Sequence, residues 1–274
     1  MARVPDWLVY GGAVALVTSL AIAWRENVDA PPAPPAPDAV EAGALVGAST
    51  SIDPVTVVNA PAASLQPVSG TIFAVSEKGR WLTARHVVQG CRSAVILLGG
   101  GQAVRAAVSP RPSGAVALLS TEGAPAPLPM AVGRPMRIGQ RAFTVGFPQG
   151  GPGEIAVRLL GRETLRVKGG AGGVIPVLAW AEVGRTEGLK GGVAGLSGAP
   201  MVDEQGRVVG VTLGEKPRRG RIYTTAPEGL GAVLRDITPG PDLATGLPIT
   251  TENYGRMADT LRRDLRVARV TCLK

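Results

Sequence analysis

Glycine and proline limit what this chain can fold into. It carries 38 glycines and 24 prolines among 274 residues, and past residue 64 they cut most apolar runs to strand length. A helix interior loses about 1 kcal/mol for a glycine and about 3 kcal/mol for a proline, whereas tight turns between strands use both. Segments 68–75, 81–84, 94–98, 104–108 and 115–119 are short, apolar and bounded by turn residues, as strands are. Segments 142–146, 155–160, 174–181 and 221–226 repeat the pattern. Hydrophobic residues make up 45% of the chain and aromatic ones only 4%, so the core must be aliphatic. No long amphipathic helix dominates, and the class expected is all-β. Two short helices are expected, over 228–237 and over 253–265, where Met257, Leu261 and Leu265 recur four apart.

Two stretches carry chemistry. Gly195-Leu196-Ser197-Gly198-Ala199-Pro200 sets one hydroxyl among glycines that can take positive φ, and Pro200 then fixes the backbone for a following strand. Such a turn can present the Ser197 hydroxyl together with nearby amide hydrogens. Serine is a weak nucleophile until a base takes its proton, and histidine suits that task near neutrality. His86 is the single histidine of the chain, and it follows the apolar run Trp81-Leu82-Thr83-Ala84. A glycine-rich loop and a lone histidine are each commonplace. The two in this order point to a nucleophile and its base.

Thr83-Ala84-Arg85-His86 resembles the T-A-x-H box of trypsin-like serine proteases, and residues 195–200 resemble their G-[DN]-S-G-G-P box. Val145-Gly146-Phe147-Pro148-Gln149-Gly150 is similar to the G-F-P-x-G stretch of the bacterial HtrA/Deg branch. The resemblance covers about residues 64–237 and leaves no room for a following PDZ domain. It implies two six-stranded antiparallel β-barrels (64–130 and 131–240) with the site in the cleft between them. It further implies His86 as general base, Ser197 as nucleophile, and the amides of Gly195 and Ser197 as the oxyanion hole. Gly191 would floor the specificity pocket, with Thr212, Leu213 and Gly214 along one wall. Gly191 offers no charge, which suits a small or apolar substrate side chain. An approach by Arg221 would favour acidic ones instead. Leu196 and Ala199 depart from the box.

A larger departure concerns the acid that orients the histidine. In this family it opens a short D-[LVI]-A-L-L strand, and here that strand reads Ala115-Val116-Ala117-Leu118-Leu119. No aspartate lies between His86 and Ser197, and the five glutamates there (Glu122, Glu154, Glu163, Glu182, Glu187) have no spacing that recommends them. In the triad mechanism, replacing that aspartate by asparagine costs about 10⁴ in kcat. The resemblance therefore implies either a slow serine endopeptidase or a pseudoprotease whose cleft binds a peptide or protein without cutting it.

Residues 7–24 form 18 uncharged residues with Trp7 and Trp24 at the ends, the length of a spanning helix. Arg3 precedes this span, and no lysine or arginine occurs between Arg25 and Lys78, which sets the N-terminus in the cytoplasm and the rest outside. The span reads as an inner-membrane anchor with a periplasmic catalytic domain. Ala21-Ile22-Ala23 also fits a signal-peptide processing site, in which case the product is secreted. Residues 25–63 read as a linker, with the run 31–37 as a semi-rigid polyproline spacer. The final segment, 241–274, reads as an extension whose residues 266–271 could form an edge strand. In an oxidising compartment the two cysteines, Cys91 and Cys272, are expected to pair and pin that extension to the first barrel. The net charge of +8 comes from scattered basic residues, mostly arginine, without aromatic interleaving. It describes a solvated surface and no nucleic-acid partner. No metal-ligand spacing, phosphate loop or dinucleotide fingerprint occurs, so no cofactor and no metal is expected.

Overall fold

The computed structural model of the protein describes residues 43–59, 68–109, 114–131, 133–168, 174–216, 220–234, 237 and 246–273. The apolar span 7–24 and the proline run 31–37 lie outside the described residues. Among the described residues no helix is long and apolar enough to cross a membrane.

Strands β2 (Val68–Ser76), β3 (Arg80–Ala84), β4 (Ser93–Gly99), β5 (Gln102–Val108), β6 (Val116–Ser120) and β13 (Val267–Leu273) close into a barrel. Their order is β13-β2-β3-β6-β5-β4, antiparallel throughout. A second barrel has the order β8-β7-β10-β11-β12-β9, and β8 pairs back onto β9 to close it. Its strands are β7 (Arg141–Gly146), β8 (Gly153–Lys168), β9 (Val174–Arg185), β10 (Pro200–Asp203), β11 (Val208–Lys216) and β12 (Arg221–Thr225). One strand breaks the antiparallel rule: β1 (Val55–Asn59) lies parallel to the far half of β8, with Val55 opposite Thr164. The hairpin of β8 and β9 is longer than the apolar runs 155–160 and 174–181 foretold. Polar residues such as Arg162, Glu163 and Thr164 carry it past the barrel wall.

Period-two alternation explains why β2 reads as an unbroken apolar run. Ile72 and Ala74 point into the first barrel with Trp81, Ile96, Leu119 and Val270. Phe73 and Val75 point the other way, into a core shared by the two barrels with Phe143, Val145, Val202 and Tyr254. Strand β7 divides likewise, Ala142 facing the second barrel's own core and Phe143 the shared one. Both faces are buried, so both must be apolar. The two indoles among the described residues keep a partner for their N–H groups: Trp81 Nε1 donates to Thr121 Oγ1 (2.8 Å) and Trp180 Nε1 to Thr224 Oγ1 (2.9 Å).

The edge-strand expectation for residues 266–271 is corrected. Strand β13 lies inside the first barrel, with Val270 opposite Gly70 of β2 on one side and Ile96 of β4 on the other. Val267 enters the shared core while Ala268 and Val270 enter the barrel. That two-sided burial accounts for its blurred polar alternation. The split of the chain into a first barrel ending near residue 130 and a separate extension is revised accordingly. The first barrel takes its sixth strand from β13.

Helix α3 (Tyr254–Arg263) leads into β13 and packs on the shared core through Tyr254, Ala258 and Leu261. The buried stripe thus runs i, i+4, i+7 from Tyr254. Met257 is only partly buried, and Leu265 lies beyond the helix end with φ 57°. The Tyr254 ring stacks on Phe143 with centroids 5.4 Å apart. The other longer helix, α2 (Pro227–Leu234), follows β12 directly. Cys91 and Cys272 form a disulfide with Cα atoms 5.3 Å apart, inside the range of about 4.4–6.8 Å that such a bridge needs.

Candidate active site

His86 lies in α1 (Arg85–Val88), a single turn that begins where β3 ends. Ser197 lies in the loop between β9 and β10. The segments that carry them meet closely at backbone level. Gly198, at φ 90°, packs so tightly on β3 that a Cβ there would stand 2.1 Å from Thr83 Oγ1 and 2.9 Å from Ala84 N. A Cβ on Gly70 would stand 2.7 Å from the Val87 methyl groups and 2.8 Å from Ser197 O. Gly195 is confined too, since at φ 98° its Cβ would come within 2.5 Å of Phe147 O. The loop needs glycine at both positions, for their conformation and for the space.

The hydrogen bonds of this loop leave two amides over. Leu196 N donates to Val193 O (3.0 Å), Gly198 N to Thr212 O (2.7 Å) and Ala199 N to Leu196 O (2.9 Å). The amides of Gly195 and Ser197 donate to nothing among the described residues. Peptide planarity fixes where they point. Ala194 O accepts from Gln149 N and Leu196 O from Ala199 N, so the N–H at the other end of each peptide faces the opposite way. These are the two amides expected to form an oxyanion hole, and pre-aimed, unpaired donors are what that task requires.

His86 is half-buried, and its ring makes no side-chain hydrogen bond among the described residues. Burial alone pushes its pKa below the ordinary histidine value, with no carboxylate acting against it. Ala115 stands just ahead of β6, and its carbonyl oxygen accepts a hydrogen bond from Arg85 N at 2.8 Å. Three of the five intervening glutamates are engaged elsewhere: Glu154 with Arg262, Glu163 with Arg221 and Glu182 with Arg185.

The residues expected to line a pocket fall on two facing segments. Thr212 is buried, its hydroxyl 3.0 Å from that of Thr144. Leu213 and Gly214 follow it across an irregularity in β11. Gly191, with φ 74°, is exposed, and its carbonyl oxygen accepts from the Arg185 guanidinium at 2.8 Å. Glu215 ties the segments together by accepting from Val193 N, and burial raises its pKa against the opposing pull of that bond and of Arg185. Arg221 is held at 2.8 Å by Glu163, away from this wall.

Sequence reading missed four residues here: Glu215, Arg185, Gln149 and Thr71. Gln149, at φ 54°, donates from its side chain to the Lys190 and Gly192 carbonyls (2.6 and 2.7 Å) and so braces the pocket loop. Thr71 is fully buried and bonded to the loops on either side of it. The side-chain partners of Thr71, Gln149 and Glu215 lie 22 or more residues away and leave no local signal; only the proline before Gln149 hinted at a built turn.

Residues 69–211, more than half of the chain, match the family model of the trypsin-like peptidase domain. The inactive form of the protease Rv3671c is 25% identical, with a TM-score of 0.51 over 62% of this chain and 84% of that one. The active form of Rv3671c from Mycobacterium tuberculosis is 21% identical, with a TM-score of 0.50 over 75% and 96%. The HtrA-type protease AlgW, solved with a decapeptide, is 18% identical with a TM-score of 0.45 over 60% and 50%. No curated protein matches the chain.

Proposed function

The chain belongs to the trypsin-like peptidase family, and on that premise we propose that it is a membrane-tethered, extracytoplasmic serine endopeptidase of low turnover. Ser197 Oγ attacks a peptide carbonyl carbon, His86 Nε2 takes the hydroxyl proton, and the amides of Gly195 and Ser197 hold the oxyanion. His86 then returns the proton to the leaving amine, and water repeats the sequence to release the acyl group. The observation that carries this reading is the pair of unpaired, pre-aimed amides in a loop packed on the strand that leads to His86.

Turnover is slow because, among the described residues, nothing orients the imidazole. Ala115 supplies a methyl group where the family has a carboxylate, and only burial acts on His86. The oxyanion hole and substrate binding alone retain about 10³–10⁴-fold over water. The same observation favours a second reading, a pseudoprotease whose cleft binds a peptide or protein partner. In either case the side chain held nearest the pocket floor is small or apolar, since Gly191 brings no charge, Arg221 is committed to Glu163 and Arg185 to Glu182. Tethering rests on the uncharged span 7–24, and the outer location on the charge asymmetry around it and on the Cys91–Cys272 bridge.

A fluorophosphonate probe tests the assignment. Covalent labelling of the wild type that is absent from Ser197→Ala supports the endopeptidase. An inert wild type that still binds peptides supports the pseudoprotease.

A further inference from the structure

The two candidate oxyanion donors, Gly195 and Ser197, have one feature in common beyond their free amides: the carbonyl oxygen of each accepts a hydrogen bond from Thr71. Thr71 Oγ1 donates to Gly195 O at 2.9 Å, and Thr71 N donates to Ser197 O at 2.9 Å. The same hydroxyl accepts from Phe147 N at 3.1 Å. Thr71 O in turn accepts from the Thr83 hydroxyl at 2.6 Å, and Thr83 opens the segment that ends in His86. Thr71 is 0% exposed, so its hydroxyl has no water to turn to in place of these partners.

We propose that Thr71 is a positioning residue that holds the far peptide of each candidate oxyanion donor, so completing the hold on both amides, and locks the loop of Ser197 to the first barrel. Each donor residue has a peptide on either side. The preceding peptides are fixed within the second barrel, by Gln149 N and by Ala199 N. The following ones are fixed by Thr71, across the cleft between the barrels. With both flanking planes held, φ and ψ of Gly195 and Ser197 have no freedom left. The surroundings are shaped for this hydroxyl. A Cβ on Gly146 would come within 2.5 Å of Thr71 Oγ1, and one on Gly198 within 2.1 Å of Thr71 O. Without the hydroxyl, Phe147 N and Gly195 O would both lose their bonds in a buried setting, and the loop would turn to satisfy them elsewhere.

This inference rests on the proposed role of the Gly195 and Ser197 amides, and the experiment separates the two. Thr71→Val keeps shape and backbone bond but deletes the hydroxyl, and Thr71→Ser restores it. Acylation by a fluorophosphonate and the backbone amide NMR signals of Gly195 and Ser197 are measured in wild type and both variants. Thr71→Val is expected to shift the Gly195 amide signal, and that of Ser197 less because Thr71 N still holds Ser197 O, and to slow acylation about tenfold or more, since losing one oxyanion donor outright costs about 10²–10³. The affinity for a non-reactive peptide should stay near wild type, and Thr71→Ser should recover both readouts. Wild-type signals and rates in Thr71→Val overturn the proposal, as does a loss of peptide affinity equal to the loss of rate. If wild-type Ser197 is itself inert, the endopeptidase reading falls and the amide signals alone decide: moved in Thr71→Val and restored in Thr71→Ser supports positioning, unmoved overturns it.

Discussion

On the proposed reading, Ala115 concentrates the chemistry of this site in one missing carboxylate. Its carbonyl oxygen is occupied by Arg85 N, and its side chain can neither orient nor charge-stabilise an imidazole. Ala115→Asp restores the group at the head of β6. Peptidase assays are expected to show kcat rising, by up to about 10⁴ where the carboxylate reaches Nδ1 of His86. The pH dependence should move with it. In the wild type, burial lowers the His86 pKa, so the folded ring binds fewer protons than the unfolded one just below the ordinary value of about 6.5. Stability and base competence therefore both rise with pH through that window and level off above it. The acid limb of an acylation profile is expected to have its midpoint below 6.5 in the wild type, and to move upward in Ala115→Asp because a neighbouring carboxylate favours the charged ring.

At the scale of elements, α3 is held to the second barrel by a buried ion pair. Arg262 reaches Glu154 at 2.8 Å, with side chains only 9% and 5% exposed, and it also touches Gly153 O. Burial raises the Glu154 pKa, and Arg262 is the main group that opposes this. Arg262→Met leaves that carboxylate buried and unpaired. Chemical denaturation is expected to show a loss of about 3–5 kcal/mol; Glu154→Gln combined with Arg262→Met should recover part of it. The helix itself was legible from its spacing, although its buried stripe starts at Tyr254 rather than Met257. The apolar runs gave most strands because that signal is local, and for the same reason the two boxes marked His86 and Ser197 as candidates. The parallel attachment of β1, the reach of the β8–β9 hairpin and the bonds of Thr71 were not legible. Each depends on a partner far along the chain, and in sequence Thr71 is one more β-branched residue in a strand.

For the molecule as a whole, the decisive link is between β13 and the segment that follows His86. The Cys91–Cys272 bridge spans 181 residues, and a closed loop of that size stabilises by at most about 5 kcal/mol. Thiol titration of the denatured, unreduced protein is expected to find no free cysteine. Cys272→Ala should still fold, with a lower Tm, since β13 keeps nine residue pairings with β2 and β4 besides the two at Cys272. A chain ending before Val267 should not close the first barrel at all. That topology has a consequence in time. As the chain emerges from the ribosome, β2 and β4 are made early and wait with bare edges for residues 267–273. Until those arrive, the scaffold that braces the loop of Ser197 is open. A nascent chain thus lacks the braced loop of Ser197, and must be shielded from pairing its waiting edges with a neighbour's.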